Sequence, residues 1–206
     1  MPIQIGTKPD SSFDEPLGLL SDCHRRIETF LERLLIVTRQ AHGDALSLVQ
    51  RETLDVALRY FRRGAPLHTQ DEETSLFPRL REIGGQEAQV ALAALESLEA
   101  DHREADNAHQ TVDRIGCRWL DAGTLPHEET ALLLETLIAL RALYQGHIAV
   151  EDREIFPLAG RLLPAATLTT VGREMAQRRG LDPDDLPGIS SCAARKIQSE
   201  AKTPAL

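Results

Sequence analysis

The sequence predicts an all-α protein, an up-down-up-down four-helix bundle over residues 15–164. Residues 1–14 form an N-terminal arm, and 165–206 a short helix and flexible tail. Three observations carry this. Apolar residues recur at alternating spacings of three and four along four long segments, which is the stripe a helix buries. Short breaks rich in Gly, Asp and Pro separate the segments. No segment alternates with period two, so strands are not supported.

The first segment carries Leu17, Leu20, His24, Ile27, Leu31, Leu34 and Thr38 on one stripe. The turn "AHGD" at 41–44 ends it. The second carries Leu54, Leu58, Phe61, Ala65, His68 and Glu72, and "IGG" at 83–85 marks its turn. The third carries Ala91, Leu95, Leu98, His102, Ala105, His109, Val112, Gly116 and Trp119, up to "DAGTLP" at 121–126. Pro126 followed by Glu128 and Glu129 marks the next helix start, with acids in the first turn. That fourth segment carries Leu133, Leu137, Leu140, Tyr144, His147, Glu151 and Ile155. Pro66, Pro78 and Pro157 fall inside helical patterns and are expected to kink rather than end them, since each removes one backbone donor. Pro164 is expected to close the fourth helix, and a short helix over "TLTTVGREMAQRRG" to stop at Gly180.

Composition excludes several functions. A net charge of −9 and 4% aromatic residues argue against nucleic acid, which wants a basic surface and stacking rings. No apolar run approaches the roughly 20 residues of a membrane span. The start lacks the basic-then-apolar plan of a signal peptide. Three cysteines, Cys23, Cys117 and Cys192, are odd in number and far apart, unlike a disulfide frame or thiolate zinc site. A cytoplasmic location is the expectation.

One stretch repeats. "HTQDEETSLFP", His68 to Pro78, aligns without a gap on "HIAVEDREIFP", His147 to Pro157, at an offset of 79 residues. Both read H-x3-E-x3-[L/I]-F-P. Residues four apart are neighbours on one helix face, so each copy aims an imidazole and a carboxylate the same way. His24 and His102 lie on the stripes of the other two segments. In antiparallel neighbours, residues equidistant from a turn are level. The midpoints of His24/His68, His68/His102 and His102/His147 are 46, 85 and 124.5, beside or on the three turns. Four imidazoles and two carboxylates are thus expected to meet in an apolar interior, where an unpaired carboxylate costs several kcal/mol. Metal cations resolve that cost, because imidazole nitrogen and carboxylate oxygen are their ligands. Two half-sites imply two metals, each with two histidines, bridged by Glu72 and Glu151.

The order H…HxxxE…H…HxxxE, with Phe-Pro after each glutamate, resembles the hemerythrin-like, or HHE cation-binding, domain family over roughly residues 15–164. The resemblance implies a non-haem di-iron centre reacting with O2, peroxide, nitric oxide or iron itself. It implies His24, His68, His102 and His147 as terminal ligands, with Glu72 and Glu151 as bridging carboxylates. The oxygen-carrying hemerythrins place a second histidine one turn after the third-helix ligand; here that position is Asp106, and Glu28 is its counterpart after His24. Each is a weak further ligand, an acceptor orienting an imidazole, or a surface acid. Tyr144, one turn before His147, is placed to hydrogen-bond near the centre. The last helix uses HxxxE where the carriers use a longer His-to-Asp spacing. Fewer histidines leave more open coordination, which suits turnover of an oxidant, in stress defence or iron homeostasis, more than O2 storage. The alternative is an O2, iron or nitric oxide sensor, or an iron donor, with residues 165–206 as a tail for a protein partner. Cluster-repair members of the family usually carry a cysteine-containing N-terminal extension, and no cysteine precedes Cys23 here.

Overall fold

In a computed structural model of the chain, residues 11–83 and 86–182 are described, the side chains of 86–90 excepted. The "IGG" turn therefore lies largely outside the described residues, as do most of the arm and all of the tail beyond 182. The helices are α1 (Pro16–Ala41), α2 (Leu48–Arg63), α3 (Ala65–Gln70), α4 (Phe77–Glu82), α5 (Gln86–Ala122), α6 (His127–Val150), α7 (Phe156–Leu162) and α8 (Ala165–Arg178). Two π-helical turns, π1 (Asp71–Leu76) and π2 (Glu151–Ile155), join α3 to α4 and α6 to α7. The described residues hold helices joined by turns and short irregular segments, with no strand among them, and they pack as a helical bundle: α1 lies against α2 and α6, and α5 against the same two.

Two apolar clusters fill the bundle. One holds Ile27, Leu31, Leu58, Ala65, Ala105, Trp119, Leu137 and Ile148. The other holds Leu20, Leu76, Phe77, Leu95, Leu98, Ile155 and Met175. On α1, His24 falls between Leu20 of the second cluster and Ile27 of the first. On α5, His102 falls between Leu98 and Ala105 in the same sense. The layer between the clusters is therefore the polar one.

The turns have identifiable chemistry. His42 at φ 48° caps α1 and donates its N–H to the Thr38 carbonyl. Gly43 follows at φ +87°, and its carbonyl accepts from Leu125 N–H at 2.8 Å, tying the first turn to the third. Ser47 and Gln50 form a capping box that starts α2. Pro126 caps α6, with Glu128 and Glu129 in its first turn.

The three interior prolines leave their rods running on. Only Gly64 separates α2 from α3, ahead of Pro66. Ahead of Pro78 and Pro157 the hydrogen bonds shift by one residue: Phe77 N–H donates to the Glu72 carbonyl, and Phe156 N–H to that of Glu151. A proline cannot donate to the carbonyl four residues back, and a widened turn before it accommodates the loss. Each π turn thus begins at or one residue before a glutamate of the HxxxE pair. Gly180 stands at φ +70° just past α8.

Residues 165–178 dock rather than trail. Asp71 of π1, fully buried, is held by Arg178 and Arg179, each at 2.7 Å. Glu174 accepts from Arg79 at 2.7 Å and from Ser75. Gly172 passes so close to the Phe13 carbonyl that a Cβ there would lie 1.9 Å from its oxygen.

Candidate metal centre

The structure brings together the six residues of the repeat. His24, His68, His102 and His147 are all buried, and Glu72 and Glu151 have no exposure at all. Every imidazole turns Nε2 inward. His24 Nε2 lies 3.0 Å from Glu151 Oε2 and 3.8 Å from Glu72 Oε1. His68 Nε2 lies 3.3 Å from Glu72 Oε1, His102 Nε2 3.4 Å from Glu72 Oε2, and His147 Nε2 3.1 Å from Glu151 Oε2. The rings pair as His24 with His68, centroids 4.8 Å apart, and His102 with His147 at 4.7 Å.

Despite this crowding, neither the four oxygens of Glu72 and Glu151 nor Nε2 of His24 and His102 make a hydrogen bond of good geometry among the described residues. Buried polar atoms are rarely orphaned, and a group of them facing one point fits a cation. Two donors about 2.1 Å from one ion, at right angles to each other, stand about 3 Å apart, which is the spacing found here. The donor atoms fall into two overlapping groups, each within 4.8 Å: His24, His68, Glu72, Glu151 and Glu72, His102, His147, Glu151. Glu72 and Glu151 belong to both groups.

On the outer side, three of the four Nδ1 atoms meet carboxylates. Glu73 is 2.8 Å from His102 Nδ1, Asp152 is 3.1 Å from His24 Nδ1, and Asp101 is 3.3 Å from His147 Nδ1. Sequence reasoning missed all three. The signal was in the repeat, where an acid directly follows each glutamate of HxxxE: Glu73 in one copy, Asp152 in the other. Glu28 and Asp106 are exposed, and Asp106 accepts from Gln110 instead of an imidazole.

Burial and these carboxylates set the protonation. Burial opposes a charge on His24, but Asp152, Glu151 and Glu72 outweigh it and push its pKa up to about 12. Burial likewise opposes His102, and Glu72 with Glu73 raises it to about 9. Burial lowers His68. Burial would raise Glu72, but His68, His102 and His24 hold its carboxyl far below the usual range.

A cavity of about 510 Å³ opens beside this cluster, lined by Phe61, Glu73, His102, Asp106, His109 and Tyr144 among others. His109, two turns beyond His102, stacks on Phe61 at 4.3 Å and lies 3.0 Å from Tyr144 Oη. Burial lowers the His109 pKa to about 4, so its ring is neutral and pairs through Nε2 with Tyr144 Oη. Tyr144, which the sequence placed near the centre, meets His147 edge-on at 6.2 Å between ring centroids.

Fold and cluster together define a helical bundle with a buried histidine–glutamate cluster suited to metal ions. The family model for the hemerythrin HHE cation binding domain matches residues 15–159, and the chain belongs to that family. Over 170 residues it is 26% identical to an uncharacterized protein of Haemophilus influenzae, covering 82% of this chain and 92% of that one. No helix among the described residues is long and apolar enough to cross a membrane.

Proposed function

We propose that the protein holds a di-iron centre that reacts with a small oxidant, O2, peroxide or nitric oxide, in oxidative or nitrosative stress or in iron homeostasis. His24 and His68 would ligate one iron, His102 and His147 the other, with Glu72 and Glu151 bridging. The carrying observation is that four inward Nε2 atoms surround two fully buried glutamates whose oxygens make no hydrogen bond of good geometry among the described residues. The rods are read as running up, down, up and down. Support comes from the way α1 and α5 pass from the second apolar cluster to the first, while the rods through Leu76 and Ile155 pass from the first to the second. Residues 15–164 are read as the bundle, in a cytoplasmic protein.

Ferrous ions bound here would supply the electrons that reduce the oxidant. The chain's own part is access, exclusion and proton control. The cavity gives a small molecule a way to His102, while the two apolar clusters keep bulk water from the layer between them. Tyr144, its phenol pushed up by burial, keeps its proton on Oη and pairs with His109 Nε2. Both stand beside the route a protonated product would take.

Anaerobic loading with ferrous iron should give about two irons per chain, and stopped-flow mixing with peroxide or O2 should give fast oxidation, with turnover once an external reductant is added to return the iron to the ferrous state. Less than one iron per chain defeats the metal reading. Two irons with reversible, stoichiometric O2 uptake defeats the turnover reading alone.

One observation favours a sensor without turnover: α8 is bound to π1, the turn that carries Glu72. Residues 165–206 would then report the state of the centre to a protein partner. Under that reading, amide exchange in α8 differs between the reduced and the nitric oxide-loaded protein.

A further inference from the structure

The pseudo-repeat relates more than ligands. His24 corresponds to His102, His68 to His147, Glu72 to Glu151 and Glu73 to Asp152. The outer hydrogen bonds obey the same relation. Glu73 reaches His102 Nδ1, and its counterpart Asp152 reaches His24 Nδ1. Asp101 directly precedes His102 and reaches His147 Nδ1. Its counterpart directly precedes His24 and should serve His68. That residue is Cys23, and His68 Nδ1 is buried with no hydrogen-bond partner among the described residues. The Cys23 thiol is engaged instead by the Arg26 guanidinium at 3.7 Å.

Resting on the di-iron reading, we infer that the two metal positions are chemically unequal and that Cys23, standing where symmetry asks for an aspartate, makes them so. A carboxylate on Nδ1 fixes the imidazole's tautomer and orientation and raises the basicity of Nε2 toward a metal. His102 and His147 both have one. Of His24 and His68, only His24 does. A neutral thiol is a weak acceptor and cannot replace the missing charge. Solvent does not cancel the difference, because Glu73, Asp101 and Asp152 are similarly exposed, at 34%, 34% and 37%. The His102/His147 position therefore fills first, and the His24/His68 position is the weaker, more labile one. An oxidant-driven or iron-donating cycle then has a defined order, with the second metal the one exchanged.

The test is a titration of the metal-free full chain with Co²⁺, followed by its visible absorption and by calorimetry. Outer carboxylates change metal affinity by about 10–100-fold, so two steps separated by about that factor are expected. Asp101→Asn should weaken the tight step and bring the two together. Asp152→Asn should weaken the loose step and spread them further. Cys23→Asp should strengthen the loose step; if that buried acid prevents folding, Asp101→Cys narrows the gap from the other side. Two equal sites in the native chain, or a gap unmoved by Asp101→Asn, overturns the inference while leaving the di-iron reading intact. A chain that binds no Co²⁺, Fe²⁺ or other divalent ion overturns both.

Discussion

Glu72 and Glu151 stand 79 residues apart in the chain and share the same four imidazoles in space, each glutamate between two rods. Neither carboxylate makes a hydrogen bond of good geometry among the described residues. Burying carboxylates costs several kcal/mol, the surrounding imidazoles offset part of that, and a bound cation would offset more.

Metal loading should therefore govern stability as well as reactivity. At a free-ion concentration about a hundredfold above Kd, binding to the folded state adds about 2.7 kcal/mol per site. Calorimetric melts of chelated and Fe²⁺-loaded protein should differ by several degrees or more. Glu72→Gln and Glu151→Gln should each lower metal content and shrink that difference. A melting point unmoved by chelation would contradict the premise.

The helices and the six inward residues were legible because both signals are periodic. The stripe spacing of His24, His68, His102 and His147 is the spacing of Leu20, Leu58 and Leu98, so burial followed from pattern alone. The π turns were not legible. Pro78 and Pro157 announced a lost hydrogen bond, but not that the preceding turn would widen to absorb it. The outer carboxylates were hidden for a different reason. Glu73 and Asp101 look like solvated surface acids, being about one-third exposed, and only the three-dimensional approach of their own helix to the next shows which imidazole they meet. The docking of α8 was equally invisible, since Asp71 lies in an acidic run and its arginines come 107 and 108 residues later.

Asp71 should be a stability hot spot distinct from the metal ligands. It is fully buried and neutralised by Arg178 and Arg179, themselves only about one-fifth exposed. Removing one partner of a buried ion pair typically costs about 3–5 kcal/mol. Asp71→Asn should lower stability by about that amount in urea unfolding, and Arg178→Ala by less, because Arg179 still holds the acid. A loss below about 0.5 kcal/mol for Asp71→Asn, the level of an ordinary surface substitution, would mean that α8 is not anchored there.

Two glycines should respond in opposite directions to alanine. At Gly43 the backbone is at φ +87°, and a Cβ would come within 2.4 Å of Thr130 Oγ1 and 2.9 Å of the Leu125 carbonyl. Gly43→Ala combines a left-handed backbone with a clash against main chain, and should cost about 1–3 kcal/mol. Gly146 lies within α6, where a Cβ would meet nothing within 4 Å. Gly146→Ala should stabilise by about 0.5–1 kcal/mol through helix propensity and a less free unfolded chain. Thermal melts of the two variants decide it, and a gain at Gly43 or a loss at Gly146 would contradict this reading of the backbone.

His109 should give the metal-free protein an acid-side instability. Burial between Phe61 and Tyr144 lowers its pKa from 6.5 to about 4, while Asp106 one turn earlier pulls weakly the other way. Between those values the unfolded chain binds a proton that the folded chain refuses. The stabilising contribution is complete above pH 6.5 and is lost as pH falls toward 4, by about 2 kcal/mol between pH 7 and pH 5. His24 and His102, whose pKa values are raised, contribute slopes of the opposite sign, so the total is not the measure. The measure is the comparison with His109→Gln, which keeps an acceptor for Tyr144 Oη but cannot titrate. Urea unfolding at pH 7 and pH 5 should show the native chain losing about 2 kcal/mol more than the variant. Equal losses would mean that the His109 ring is protonated in the folded state, and that the hydrogen bond with Tyr144 is not the neutral one drawn above.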